Sequence, residues 1–139
     1  MLENGKYRIP RLQMVSYFQY NRGPEYVKEV AGRIMISDEQ IVKIRKRLVD
    51  AFAPEKIILF GSQARGTADN RSDVDILVIC SFEGRRRHLM LDMDRALHDL
   101  DYAFDVLILT PEEFQKERRI PGTIGRYAQL EGRVLYAQS

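Results

Sequence analysis

The chain has 139 residues, a formal net charge of +2, and 45% hydrophobic and 30% charged residues, which suits one compact domain and leaves no room for a second substantial one. No stretch approaches a membrane span and no apolar leader precedes the first charges, so a cytoplasmic protein without membrane contact is the expectation. A single cysteine, Cys80, excludes an internal disulfide, a thiolate metal cluster and a Cys-x-x-Cys redox motif.

Residues 1–36 stand apart as an extension from the domain expected over 37–139. Lys6, Arg8, Arg11, Arg22, Lys28 and Arg33 face only Glu3, Glu25 and Glu29, and the same stretch carries Tyr7, Tyr17, Phe18, Tyr20 and Tyr26. The remainder is nearly neutral without this basic, aromatic arm, so direct nucleic-acid binding by the body is not expected. Composition leaves open whether the arm is a leader, a docked element or a surface for homo-oligomers.

Past the arm, Ser37-Asp38-Glu39-Gln40 has the form of a capping box. Ile41, Ile44, Leu48 and Phe52 follow at helical spacing up to Pro54. Lys56 to Phe60 is short, apolar and rich in β-branched residues, the pattern of a buried strand. Asp73 and Asp75 open a second such strand running through Ile76 to Cys80. After a turn at Ser81 to Gly84, Leu89, Met93, Leu97 and Leu100 form an apolar helical stripe. Ala103 to Leu109 is a third strand, with Asp105 inside the apolar run. Thr110-Pro111-Glu112-Glu113 starts a helix in the favoured way, so Glu112 and Glu113 have a capping reason to be there. Ile120 to Glu131 reads as a further helix, set off by Pro121-Gly122, and Arg133 to Tyr136 as a last strand. His88 and His98 lie ten residues apart on nearly opposite helix faces and do not form a metal pair. Arg85-Arg86-Arg87 is a solvated helix start or a surface for an acidic partner or nucleic acid.

The chemistry concentrates between Gly61 and Asp75. A strand leads into Gly61-Ser62, a spacer follows, and Asp73 and Asp75 then enter a strand two residues apart, where alternation puts both carboxylates on one side. Two carboxylates that close are unfavourable unless one takes a proton or a cation lies between them. Mg²⁺ prefers such oxygen donors and completes its shell with substrate phosphates. A helix starting near Ser62 would offer free backbone amides to a phosphate, with Gly61 allowing close approach. No Gly-x-x-x-x-Gly-Lys-[Ser/Thr] is present, so this is not a P-loop.

The run Gly61-Ser62-Gln63-Ala64-Arg65-Gly66 followed by Ser72-Asp73-Val74-Asp75 resembles the signature of the minimal nucleotidyltransferases, small members of the DNA polymerase beta-like nucleotidyltransferase superfamily. The resemblance covers roughly residues 38 to 137. It implies an α+β fold, a small mixed sheet with helices packed on it, and a third acid on a later strand, for which Asp105 is the candidate. Asp73, Asp75 and Asp105 would then be the metal-binding and catalytic acids, and Gly61, Ser62 and Arg65 the nucleotide-binding residues, with Arg65 adding a cation to the triphosphate or remaining solvated. Two Mg²⁺ ions and ATP as substrate are implied. In-line nucleotidyl transfer needs charge neutralisation at both the attacking and the leaving oxygen, which paired metals supply. Gln63 stands where relatives often have a larger or basic residue, so no role is carried over to that side chain.

The acceptor is less defined. Resemblance to the minimal family implies a separately encoded HEPN-domain toxin, with this chain as the antitoxin that attaches AMP to a tyrosine of it. Two other readings stay open: transfer to a small hydroxylated molecule such as an aminoglycoside, and a non-catalytic antitoxin that neutralises by contact.

Overall fold

The computed structural model describes residues 36–61, 64 and 73–139, together with the backbone of four two-residue strands in the arm. Those are β1 (Leu2–Glu3) paired with β2 (Lys6–Tyr7), and β3 (Glu29–Val30) paired with β4 (Arg33–Ile34), both antiparallel. The domain proper follows as α1 (Asp38–Phe52), β5 (Lys56–Phe60), β6 (Val74–Ile79), α2 (Arg86–Leu97), β7 (Phe104–Leu109), α3 (Pro111–Glu117), α4 (Ile124–Glu131) and β8 (Arg133–Ala137).

The last four strands form one sheet in the order β7-β6-β5-β8. β5 is antiparallel to both β6 and β8, whereas β6 and β7 are parallel and need a crossover, which α2 provides. Strand alternation sorts the side chains into two layers. Ile57, Leu59, Val74, Ile76, Val78, Val106 and Ile108 meet Ile41, Ile44 and Leu48 of α1 and Met93 and Leu97 of α2 on one face. On the other, Ile58, Phe60, Leu77, Ile79, Leu107 and Leu109 meet Phe114 of α3 and Ile124 and Ala128 of α4. β5 and β6 are apolar on both sides because helices cover both sides, which is why their sequences read as continuous apolar runs. The expected mixed sheet with packed helices is therefore what forms. None of the described helices is long and apolar enough to cross a membrane.

Local signals explain most boundaries. The Ser37 side chain accepts from the Gln40 N–H at 3.2 Å, and α1 stops at Ala53, whose left-handed φ of 47° precedes Pro54. The capping box expected there is only half formed, because the Gln40 side-chain oxygen is buried without a hydrogen bond. The box at α3 is complete: Thr110 accepts from the Glu113 N–H at 3.2 Å and Glu113 accepts from the Thr110 N–H at 2.8 Å.

Two expectations need correction. α4 does not begin at Ile120. Gly122 takes a φ of 83°, and buried Thr123 caps the helix, accepting from the Arg126 N–H at 3.2 Å and donating to the Glu117 carbonyl at 2.7 Å. The arginine triplet is not uniformly solvated either. Arg85 and Arg87 are exposed, but Arg86 turns inward to Glu113, 2.6 Å from its carboxylate, and lies 5.4 Å from the Phe82 ring. His88 is exposed near the start of α2 and His98 follows its last turn, so the two histidines stay apart.

Candidate active site

The acids singled out in the sequence lie at one end of the sheet. β5 ends in Phe60, fully buried, and Phe60 pairs with Asp75 across the antiparallel β5–β6 ladder. Asp75 in turn pairs with Asp105 across the parallel β6–β7 ladder. Residues opposite one another share a face, so both carboxylates project on the side covered by α3 and α4, at the strand ends. Asp73 lies one residue before β6, and the Val74 N–H donates to the Ala103 carbonyl at 2.8 Å, which keeps this entry segment beside β7.

All three acids come together. Asp73 and Asp75 are 7% and 4% exposed, and Asp105 is half-buried in hydrogen-bonding contact with both. Burial first, then the charge of Asp73 and the hydrogen bond shared with it, raise the Asp105 carboxyl from its ordinary 3.8 to about 7, while the contact with Asp75 acts the other way. One oxygen of Asp105, Oδ2, is buried with no hydrogen bond. A buried carboxylate oxygen without a donor beside two further carboxylates is a hard-oxygen donor set, the kind that suits Mg²⁺. The donor chemistry of the three acids suits that metal, while among the described residues no group of three acidic, histidine or cysteine side chains is arranged as a ready metal site.

The glycine turn abuts this cluster. Gly61 has a φ of 73°, in the left-handed region that favours glycine, and a Cβ built there would overlap Asp75 Oδ2. Both the conformation and the space therefore demand glycine. Behind the turn, the ring of Tyr127 on α4 meets Phe60 edge-on at 6.0 Å. Ala64 packs half-buried against the α1–α2 side of the core. Ser62 and Arg65, the other two residues expected at the nucleotide, lie outside the described residues, as do Gln63, Gly66 and Ser72.

Sequence reasoning passed over some of the surrounding frame. Tyr127 carried no signal beyond its place in a helical pattern. Glu117 is 2% exposed on α3, and the Cβ of that residue stands 2.6 Å from where a Cβ at Gly125 would be, so α4 crosses α3 at a glycine. At its far end α4 meets the sheet through Gly132, where a Cβ would overlap Ile58 of β5 and the Ala128 carbonyl. The helix over the acids' face is thus held close to both α3 and β5 at positions that admit no side chain.

Comparisons with known proteins agree with this geometry. Residues 42–138 match the family described as polymerase beta, nucleotidyltransferase. A protein of Methanocaldococcus jannaschii named "Putative protein adenylyltransferase MJ1305" is 42% identical over 69 residues, covering 50% of this chain and 44% of that protein. The chain thus aligns with less than half the length of that curated relative. Among solved structures, a toxin–antitoxin with AMP-PNP is similar with 26% identity and a TM-score of 0.51, covering 71% of this chain and 74% of that one. A nucleotidyltransferase of Sulfolobus solfataricus, so designated provisionally and solved at 1.40 Å, has the same fold, with 21% identity and a TM-score of 0.50 over 71% of this chain and 79% of that one. A family match across residues 42–138, with an acid triad and a glycine turn at one sheet end, makes this chain a member of the polymerase beta nucleotidyltransferase family.

Proposed function

We propose that this chain transfers AMP from ATP to a hydroxyl acceptor, and that the acceptor is a tyrosine of a HEPN-type toxin for which this chain is the antitoxin. Residues 37–139 would be the catalytic domain and 1–36 an extension to it. The observation that carries the reading is the register that sets Asp105 opposite Asp75, with Asp73 in contact, at the end of the sheet where Gly61 turns. The relative named for protein adenylyltransfer and the toxin–antitoxin neighbour with AMP-PNP support the choice of donor and acceptor.

In this mechanism Asp73, Asp75 and Asp105 would hold Mg²⁺, two ions in the family pattern. A bound metal would supply charge neutralisation for the phosphoryl transfer. The chain's own residues do the rest. Gly61 brings the backbone against the site without a side chain, so that amides of the turn can face the phosphates, with Ser62 and Arg65 adding a hydroxyl and a cation. Asp105, nearest in chemistry to a base, accepts the proton of the attacking hydroxyl.

The test is to incubate the chain with Mg²⁺, ATP and a HEPN-domain chain encoded beside it, and to record intact masses. A gain of one AMP unit on the partner, absent with the Asp73→Asn/Asp75→Asn variant, is the expected result. A stable complex with no gain would point instead to neutralisation by contact.

A further inference from the structure

β8 ends the sheet on one side, and among the described residues no strand pairs with its outer edge. An edge strand turns unpaired N–H and C=O groups outward, and natural sheets usually guard such a row with charge, proline or a covering element. Of Arg133–Ala137 only Arg133 is charged, and the segment has no proline. Val134 is instead 53% exposed. Ile58 lies opposite Val134, and the bulge between Ile57 and Ile58 falls after it, turning both Leu135 and Tyr136 to the α1 side. Val134 therefore stands on the α4 face of the sheet at its open border.

The elements beside β8 are apolar where they reach this border. α1 sets one flank against α2, where Arg47 donates to the Ala96 carbonyl at 3.1 Å. Asp38 lies on the other flank, 4.0 Å from Arg133, and Val42 follows it by one helical turn on that same flank. Val42 is 48% exposed, and Leu130, in the last turn of α4 before Gly132 and β8, is 65% exposed. Three of the four exposed large apolar side chains among the described residues thus border one sheet edge, and Leu91 on α2 is the fourth. Apolar side chains grouped at an open strand mark a surface that is covered by another chain.

We propose that β8 pairs antiparallel with β8 of a second copy of this chain, about a twofold axis at Val134, joining the two sheets into one of eight strands. A second copy fits this edge because it offers the same free strand and the same apolar flanks, as an isologous contact requires. The charges match as well. Pairing Val134 with its counterpart sets Arg133 opposite Leu135 of the second copy, so both Arg133 and both Asp38 side chains border the axis, two of each sign. The contact is small, and dissociation in the micromolar range is expected. The acids stay open in such a dimer. Asp105 on β7 is three strands from β8, and seven strand spacings of about 4.8 Å put the two Asp105 residues about 34 Å apart across one face of the joined sheet. The pairing is independent of the reaction assigned to those acids.

Sedimentation velocity of the full chain over a range of concentrations tests this, and a reversible monomer–dimer equilibrium is expected. Val134→Glu opposes two carboxylates at the axis and should raise the dissociation constant about tenfold or more, with the fold retained by circular dichroism and nucleotidyl transfer per chain unchanged. Val134→Cys should form a disulfide-linked dimer on mild oxidation, because residues opposite one another in an antiparallel pair lie about 4.5–5.5 Å apart, within the span of a disulfide. Leu91→Cys, exposed on α2, should not, and the native Cys80 is buried. A chain that stays monomeric at every concentration would overturn the inference, as would a dimer that Val134→Glu does not weaken and Val134→Cys does not cross-link. A monomeric parent that binds a HEPN-type partner, with binding lost in Val134→Glu, would assign the edge to that partner and overturn self-pairing.

Discussion

Asp75 and Asp105 stand directly opposite one another across the parallel β6–β7 pair, one from each strand, with Asp73 in contact. Such a pairing of like charges in a folded chain is costly without a proton or a cation to share. In the proposed function this pairing gives the site its chemistry, and the expected behaviour of several variants follows from it.

Replacing Asp75 or Asp105 by Asn keeps the side-chain shape and removes a charge. Nucleotidyl transfer should fall by about 10²-fold or more, within the range for loss of a proton-transfer group or a metal ligand. The fold should be retained, because the change relieves repulsion. Circular dichroism and thermal melting alongside a transfer assay check both halves of this expectation.

The raised Asp105 carboxyl makes the stability of the metal-free protein depend on pH. From pH 4 to 7 the folded chain holds a proton that the unfolded chain has released, so stability falls as pH rises through this window and levels off above about 7. A shift from 3.8 to about 7 sets the size at a few kcal/mol at most. Denaturant titrations in EDTA at pH 4.5 and 7.5 should show this loss in the parent and a smaller one in Asp105→Asn. Added Mg²⁺ should restore part of it at the higher pH.

Gly61 and Gly84 separate strain from contact. Both have positive φ, 73° and 83°, but a Cβ at Gly61 would overlap Asp75 Oδ2 while one at Gly84 meets nothing within 4 Å. Gly84→Ala should cost about 1 kcal/mol of stability and leave transfer unchanged. Gly61→Ala should cost about 1–3 kcal/mol and abolish most activity by displacing Asp75. Paired melting and activity measurements distinguish the two.

Glu113 has two partners at the far end of the sheet, the Thr110 N–H of the capping box and Arg86 of α2. Thr110→Ala should cost about 1 kcal/mol, the usual worth of an N-cap. Glu113→Ala should cost about 2–4 kcal/mol, because it also leaves a mostly buried guanidinium without its carboxylate. Transfer activity per folded molecule should not change in either variant, since both residues lie away from the acids.

Much of this was legible in the residues because the signals were local. The strand from Lys56 to Phe60, the Thr110-Pro111-Glu112-Glu113 helix start and the Asp73, Asp75 and Asp105 triad stand where pattern and resemblance put them. What escaped depends on contacts between distant segments. Gln40 looks like a capping partner in sequence, yet its side-chain oxygen is buried without a hydrogen bond. The helix expected from Ile120 starts later, because Thr123 reaches back to the Glu117 carbonyl and caps it at Ile124. Arg86 differs from its neighbours Arg85 and Arg87 only because Glu113, 27 residues away, is brought beside it. Nor does any periodicity announce that Phe60 and Tyr127 meet.

The central claim is that the acids at the end of β6 and β7 direct transfer of a nucleotidyl group. Parallel incubations with ATP labelled at the α-phosphate and at the γ-phosphate, in the presence of Mg²⁺ and the acceptor protein, test it most directly. The account requires covalent incorporation of the α label with release of pyrophosphate carrying the γ label, and no incorporation with Asp73→Asn/Asp75→Asn. Incorporation of the γ label, or α labelling that persists in the variant, would contradict it.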